Sequence, residues 1–391
     1  MSQFDQVIDR RNTSSVKWDL VEKLYGSREV LPMWVADMDF PAPRPVVDAL
    51  IARAQHGVYG YTTRPDSVYE AIELWARTRH NWTIEREWIR FSPGVVPGLA
   101  FLLYALSAPR DKVIIQPPVY HPFAFTIREN DRQIVNNPLI FENGRYRMDL
   151  DDLERKAREG ARLMILCSPH NPVGGVWTQG ELRQLGEICC EHGITVISDE
   201  IHSDLLLPGH VHTPFASISP EFAQNSVVCT APSKTFNLAG LQTSVITIPN
   251  KELRDRFDSV LDRLHLTLPN TFGLVAMEAA YRYGGEWLDE LRGYLSANLR
   301  YLTAFLAREA PQIKVVQPQG TYLVWLDCRE LGLQTEELSR FMREDAKVGL
   351  DDGHIFGPGG EGFERINIAC PRSVLQEGLQ RIAGAVRKLG A

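Results

Sequence analysis

No stretch of this 391-residue chain strings together about 18 apolar residues, so no helix is expected to span a bilayer. The opening residues, Met1-Ser2-Gln3-Phe4-Asp5-Gln6, lack the apolar core of a signal peptide. A basic excess is missing too: 42 Lys and Arg against 49 Asp and Glu give a formal charge of -7. That balance argues against a general nucleic-acid or anionic-membrane surface. The six cysteines (Cys167, Cys189, Cys190, Cys229, Cys328, Cys370) form no C-x-x-C pair and no metal-ligand spacing. Most read as small buried hydrophobes, and Cys189-Cys190 as a pair on a helix rather than a bridge. A reduced, cytoplasmic setting is therefore expected. Internal repeats and low-complexity segments are lacking as well.

What is present is an ordinary globular composition, 44% hydrophobic and 23% charged, in a chain long enough for two domains. Up to about residue 30 the sequence is polar and irregular, with Trp18 and Leu20 as expected anchors. Leu31 to Pro41 is a dense apolar run with two acids, read as a loop or short strand. Apolar spacing predicts helices over Pro43 to Ala54 and Ser67 to Thr78. The glycine-punctuated turn between them exposes Tyr59 and Tyr61. Short strands then alternate with helices: 88–91, 113–116, 163–167, 194–198 and 227–229. Apolar on both faces and spaced by helices, they predict a mainly parallel sheet covered on both sides. In such sheets ligands bind beyond the carboxyl ends of the strands.

Those ends carry the polar candidates. Gly94-Val95-Val96-Pro97-Gly98 opens a helix whose free amides could face an anion. Tyr120 follows the strand at 113–116, Asn171 the strand at 163–167, and Asp199 closes the strand at 194–198. Lys234 follows the strand at 227–229, where desolvation disfavours its charged form. Beyond Asn250 the pattern turns helical, with one long apolar stripe from about Thr271 to Leu306. A mix of hairpin and helix follows: a strand at 313–316, Gly320 to Leu326, helix Thr335 to Glu344, strand Glu364 to Ala369 and a last helix.

Ser-Pro-His-Asn-Pro at 168–172, Asp-Glu-Ile-His at 199–202 and Ala-Pro-Ser-Lys-Thr-Phe-Asn at 231–237 resemble the class I/II aminotransferase-like, fold type I pyridoxal-phosphate enzymes. Met33 to Phe40 and Gly94 to Gly98 make the chain most similar to their cystathionine β-lyase branch. The resemblance implies an α/β fold: a mainly parallel, seven-stranded-type sheet flanked by helices, with a smaller α+β domain. It implies an N-terminal segment (1–44) packing with the small domain, a large cofactor-binding domain (45–285) and a C-terminal small domain (286–391).

The same resemblance implies roles for the candidates. Lys234 condenses with the aldehyde of pyridoxal 5'-phosphate and, once displaced by substrate, takes the Cα proton. Asp199 pairs with the pyridine nitrogen and keeps it protonated, which makes the ring an electron sink. Asn171 donates to the ring's phenolic oxygen, and Tyr120 stacks on the ring. The phosphate falls to the amides of Val95 and Val96, to Ser233, and to Tyr61 from the other subunit of a homodimer. Arg365 grips the substrate α-carboxylate, a task suited to a two-pronged guanidinium, with Arg372 as a neighbouring competitor.

Two positions depart from the common aminotransferase pattern: His202 stands where a tyrosine is expected, and Gln242 where a phosphate-binding arginine is expected. Both favour the lyase branch. The expected reaction is β-elimination from a cysteine thioether such as L-cystathionine, giving homocysteine, pyruvate and ammonia. Transamination of an amino acid is the alternative, since it shares the path up to deprotonation at Cα. A cofactor-bound regulatory protein with little turnover is the third reading.

Overall fold

The computed structural model describes residues 2–389. At its centre lie seven strands, in chain order β1 (Ile89–Ser92), β2 (Lys112–Ile115), β3 (Gln133–Asn136), β4 (Ala161–Cys167), β5 (Thr195–Asp199), β6 (Ser226–Thr230) and β7 (Ser244–Thr247). Their order across the sheet is β1-β7-β6-β5-β4-β2-β3, and β7 alone runs antiparallel to its neighbours. Alternation along the strands explains why both faces are covered. Val113, Ile115, Leu163, Ile165 and Ile197 enter one apolar cluster, beside Leu99 and Leu102 of helix α1 (Val95–Leu106) and Phe257. Ile114, Met164, Leu166 and Val196 enter another, beside Leu153, Leu182 and Leu185. A strand with no polar face needs helices on either side.

Strands β3 and β7 were not legible in the sequence. β3 is an edge strand with polar residues at both ends, and β7 opens on Ser244 and closes on Thr247 although it is buried. Ser244 is tolerated inside because its hydroxyl pairs with that of Ser92 at 2.8 Å.

A second, antiparallel sheet follows, of β8 (Lys314–Val316), β9 (Leu323–Asp327), β10 (Asp351–Asp352) and β11 (Phe363–Asn367), in the order β8-β9-β11-β10. The expected continuous helix from Thr271 to Leu306 is in fact two, Thr271–Tyr283 and Gly285–Glu309. The break falls at Gly284, where a Cβ would lie 2.4 Å from the ring of Phe236. The helix expected over Thr335 to Glu344 is α-helical only to Arg340 and continues as a π-helix, Phe341–Asp345.

The N-terminal segment corrects one anchor. Leu20 is exposed, whereas Trp18 is partly buried and donates through Nε1 to Asp39 at 2.9 Å. Phe4 and Lys17, both fully enclosed, do the anchoring that Leu20 does not. Lys17 Nζ donates to Asp39 at 2.6 Å, and Arg10 bridges Asp37 and Asp39 at 2.6 and 2.7 Å. Leu31–Pro32 pairs in parallel with Val348–Gly349. Among the described residues the six cysteines are free thiols, with Cys189 and Cys190 on the helix Gln179–Glu191. No described helix is long and apolar enough to cross a membrane.

Candidate active site

Register brings the candidates together. Asp199 pairs with Cys167 on one side and Cys229 on the other, so β4, β5 and β6 end side by side. Asn171 lies four residues beyond Cys167, and Lys234 five beyond Cys229 on the short helix α2 (Pro232–Thr235). Side chains alternate along β5, so Asp199 faces the same side of the sheet as Ile197, toward α1 and Tyr120.

Lys234 Nζ donates to the carbonyl oxygen of Ala36 at 2.7 Å. Burial, and then the like charge of Arg365, pull its amine down from 10.5 to about 8. Asp199 is buried and accepts one hydrogen bond, from the Ile201 N–H at 3.1 Å. Burial pushes its carboxyl up from 3.8 to about 7, against the pull of that N–H and of Lys234.

Arg365, in the middle of β11, is fully enclosed. Its Nη1 donates to Asn171 Oδ1 at 2.9 Å and its Nη2 to the Trp34 carbonyl at 3.1 Å. Asp351 of β10 forms an ion pair with the same nitrogen, and the guanidinium lies 4.9 Å over the Phe356 ring. Its Nε is buried and finds no hydrogen-bond partner among the described residues. Arg372, the competitor, is engaged elsewhere: its Nε donates to Asn298 at 2.8 Å and it stacks on Tyr301.

Tyr120, mostly enclosed at the end of the β2 loop, has its hydroxyl pushed up to about 12 by burial. His202 is buried edge-on to Tyr322; burial, then the charges of Lys234 and Arg365, drive its imidazole down to about 3, so it is neutral. Val95 and Val96 begin α1 behind Gly94, whose lack of a side chain leaves the first-turn N–H groups uncapped. Ser233 is half-buried on α2, directly before Lys234. Gln242 is exposed at the end of a turn. Tyr61 is 95% exposed, so nothing within the one chain brings it to the buried candidates.

The chain's likenesses to known proteins run over its full length. Residues 28–382 match the sequence model described as aminotransferase class I and II. The chain belongs to that family. Within the family it is 49% identical to cystathionine beta-lyase PatB of Bacillus subtilis, over 98% of this chain and 99% of that one. It is 35% identical to protein MalY of Escherichia coli, over 99% of both. The crystal structure of cystalysin from Treponema denticola, which contains a pyridoxal 5'-phosphate cofactor, superposes with a TM-score of 0.96 at 38% identity over the whole of both chains. The pyridoxal-phosphate-bound C–S lyase of Staphylococcus hominis superposes at 0.92 with 36% identity, covering 99% of this chain and 98% of that one. The family's seven-stranded, mostly parallel sheet is the one seen here.

The sequence left several members of the site unseen. Asp351 and Phe356, which frame Arg365, sit in a stretch with no periodic pattern. The carbonyls of Trp34 and Ala36 are backbone groups, which residue identity does not reveal. Only the density of apolar residues in that segment hinted that it is pressed against something.

Proposed function

We propose that the chain is a pyridoxal-5'-phosphate-dependent carbon–sulfur β-lyase acting on cysteine thioethers of the L-cystathionine kind. The donor set suits the cofactor. Asp199 is a buried carboxylate with one hydrogen-bond donor, a partner for a ring nitrogen. Lys234 is an amine held at about 8, within reach of a neutral, nucleophilic form. The uncapped first turn of α1, with Val95, Val96 and Ser233, suits a phosphate. When bound, pyridoxal 5'-phosphate supplies an electron sink for the pair left at Cα.

The chain's own groups do the rest. Arg365, oriented by Asn171, Asp351 and the Trp34 carbonyl, binds the substrate carboxylate through its remaining donors. Asn171 keeps its amide nitrogen for the ring oxygen, because its Oδ1 already accepts from Arg365. Tyr120 covers the ring face. Lys234 removes the Cα proton; the Cβ–S bond breaks with its electron pair going to sulfur, and the thiolate takes up a proton. The three-carbon remainder adds water and leaves as pyruvate and ammonia.

The full-length 49% identity to a cystathionine beta-lyase carries the choice of elimination over transamination. Incubation with L-cystathionine is expected to release free thiol, pyruvate and ammonia in equal amounts. Amino-group transfer to a keto acid without thiol release would reject the lyase.

The assembly that suits this reading is a cytoplasmic homodimer in which Tyr61, exposed in one chain, completes the phosphate site of the other. The division into a large domain (45–285) and a small one (286–391), with residues 1–44 packing on the latter, draws support from the helix break at Gly284. The pairing of Leu31–Pro32 with Val348–Gly349 supports the placement of the N-terminal segment.

A further inference from the structure

Behind the site, on the face of the sheet away from Asp199, lies a second buried carboxylate that no step above uses. Asp204 accepts three hydrogen bonds: from Thr235 Oγ1 at 2.7 Å, from Trp75 Nε1 at 3.0 Å, and one shared with His80 Nε2 at 2.8 Å. Asp204, Trp75 and His80, with Glu200, Thr230 and Tyr281, line a small cavity of about 40 Å³. Glu200 is itself satisfied by His212, Ser198 and the Phe215 N–H, and the two imidazole rings meet edge to face at 5.7 Å. Arg79, beside His80, is turned outward to Asp289.

Thr235 directly follows Lys234. Helix α2, which carries both, has four residues, starts at Pro232 without a side-chain cap, and is closed by the Phe236 N–H donating to the Pro232 carbonyl at 2.9 Å. So short a helix cannot fix its own orientation. Besides the bond from Lys234 itself to the Ala36 carbonyl, it is tethered by the Thr235–Asp204 hydrogen bond, and Asp204 is in turn held by residues of the helix Asp66–His80. A buried carboxylate is costly unless fully hydrogen-bonded, and here two donors come from the helix Asp66–His80 and the third from α2.

We propose that Asp204, through Thr235, is a positioning residue that aims the amine of Lys234. The inference rests on the reading of Lys234 as the condensing amine. Reactivity depends steeply on aim: a misplacement of about 1 Å can cost about 100-fold. His80 keeps Asp204 anionic from the far side: burial works against the imidazolium, but the hydrogen bond and the charge of Asp204 outweigh it.

The test uses cofactor-free protein mixed with pyridoxal 5'-phosphate in stopped flow, following the absorbance change on condensation. Thr235→Val is expected to slow condensation at least about tenfold, and Thr235→Ser, which keeps the hydroxyl, to stay within about twofold of wild type. In a Lys234→Ala background, Thr235→Val is expected to leave the non-covalent affinity for the cofactor unchanged. Equal condensation rates for Thr235→Val and wild type would overturn the inference. So would a Thr235→Ser as slow as Thr235→Val, or a matching loss of affinity in the Lys234→Ala background. Should Thr235→Val not fold, Asp204→Asn takes its place, with slowed condensation expected and a wild-type rate overturning the inference. Wild-type protein that does not condense at all would instead sink the reading of Lys234, and this inference with it.

Discussion

Arg365 and Asn171 are 194 residues apart in sequence and 2.9 Å apart in space, one on the four-stranded sheet and the other in the loop after β4. This bond ties the carboxylate-binding group to the strand ends of the large sheet. Replacing Arg365 by Leu is expected to lower kcat/KM for cystathionine by about 100-fold or more, the scale of losing one buried charge-paired contact. The same change leaves Asp351 enclosed without its partner, so a loss of about 3 kcal/mol in denaturant unfolding should accompany it. Wild-type kinetics in this variant would remove Arg365 from the site.

Asp199 sets a conflict between stability and function. Its folded carboxyl titrates near 7 against 3.8 when unfolded, so the folded state holds the extra proton between these values. Its contribution is fully present below about pH 4 and lost as pH rises to about 7. Cofactor-free Asp199→Asn should therefore be more stable than wild type at pH 8, on the order of 2 kcal/mol, and should lack that decline. Elimination should fall steeply in the same variant, because an amide does not keep a ring nitrogen protonated. Thermal melts across pH, with and without cofactor, check both.

The amine of Lys234 gives a pH dependence of its own. With its proton lost near 8, cofactor-free protein should condense with pyridoxal 5'-phosphate faster as pH rises through that value, then level off. Lys234→Ala should show no condensation and no elimination. Persistent thiol release in that variant would mean another base is at work.

Subunit mixing checks the role of Tyr61. Tyr61→Ala and Lys234→Ala proteins, each impaired, should regain activity when unfolded and refolded together, since a mixed dimer holds one intact site. Absence of any gain, with mixed dimers present by mass, would place Tyr61 outside the partner's site.

The N-terminal ion network should carry stability. Lys17→Met leaves Asp39 buried with Trp18 and Arg10 as remaining donors, and is expected to cost about 3 kcal/mol. Burial opposes the charge on Asp39, but Lys17 and its other donors hold its carboxyl below 3.8. Its stabilising contribution is therefore present above about pH 4 and lost as pH falls below it. Urea unfolding of wild type and Lys17→Met at pH 3 and pH 7 should show the gap closing at the lower pH.

The candidates that residue type marked in the sequence were Lys234, Asp199 and Asn171, at or just beyond strand ends, and Arg365, a charge within an apolar strand. Strands with apolar residues on both faces announced the sheet, while β3 stayed hidden because it is a partly exposed edge strand, and β7 because Ser244 is satisfied by Ser92, distant in sequence. Asp351, Asp204 and the carbonyls of Trp34 and Ala36 were out of reach because their partners too come from elsewhere in the chain. Their meaning lies in which donor each one meets.

The segment around Ala36 has a consequence for engineering. Asn237, next to α2, grips the main chain of Met38 and Phe40, and Asn367 of β11 grips that of Val35 and Asp37. Beside those grips, the carbonyl oxygens of Trp34 and Ala36 touch the guanidinium and the amine. The number of residues in that segment thus gauges the distance between base and carboxylate anchor. Inserting a single residue there would mismatch both at once, even though no catalytic side chain had been altered.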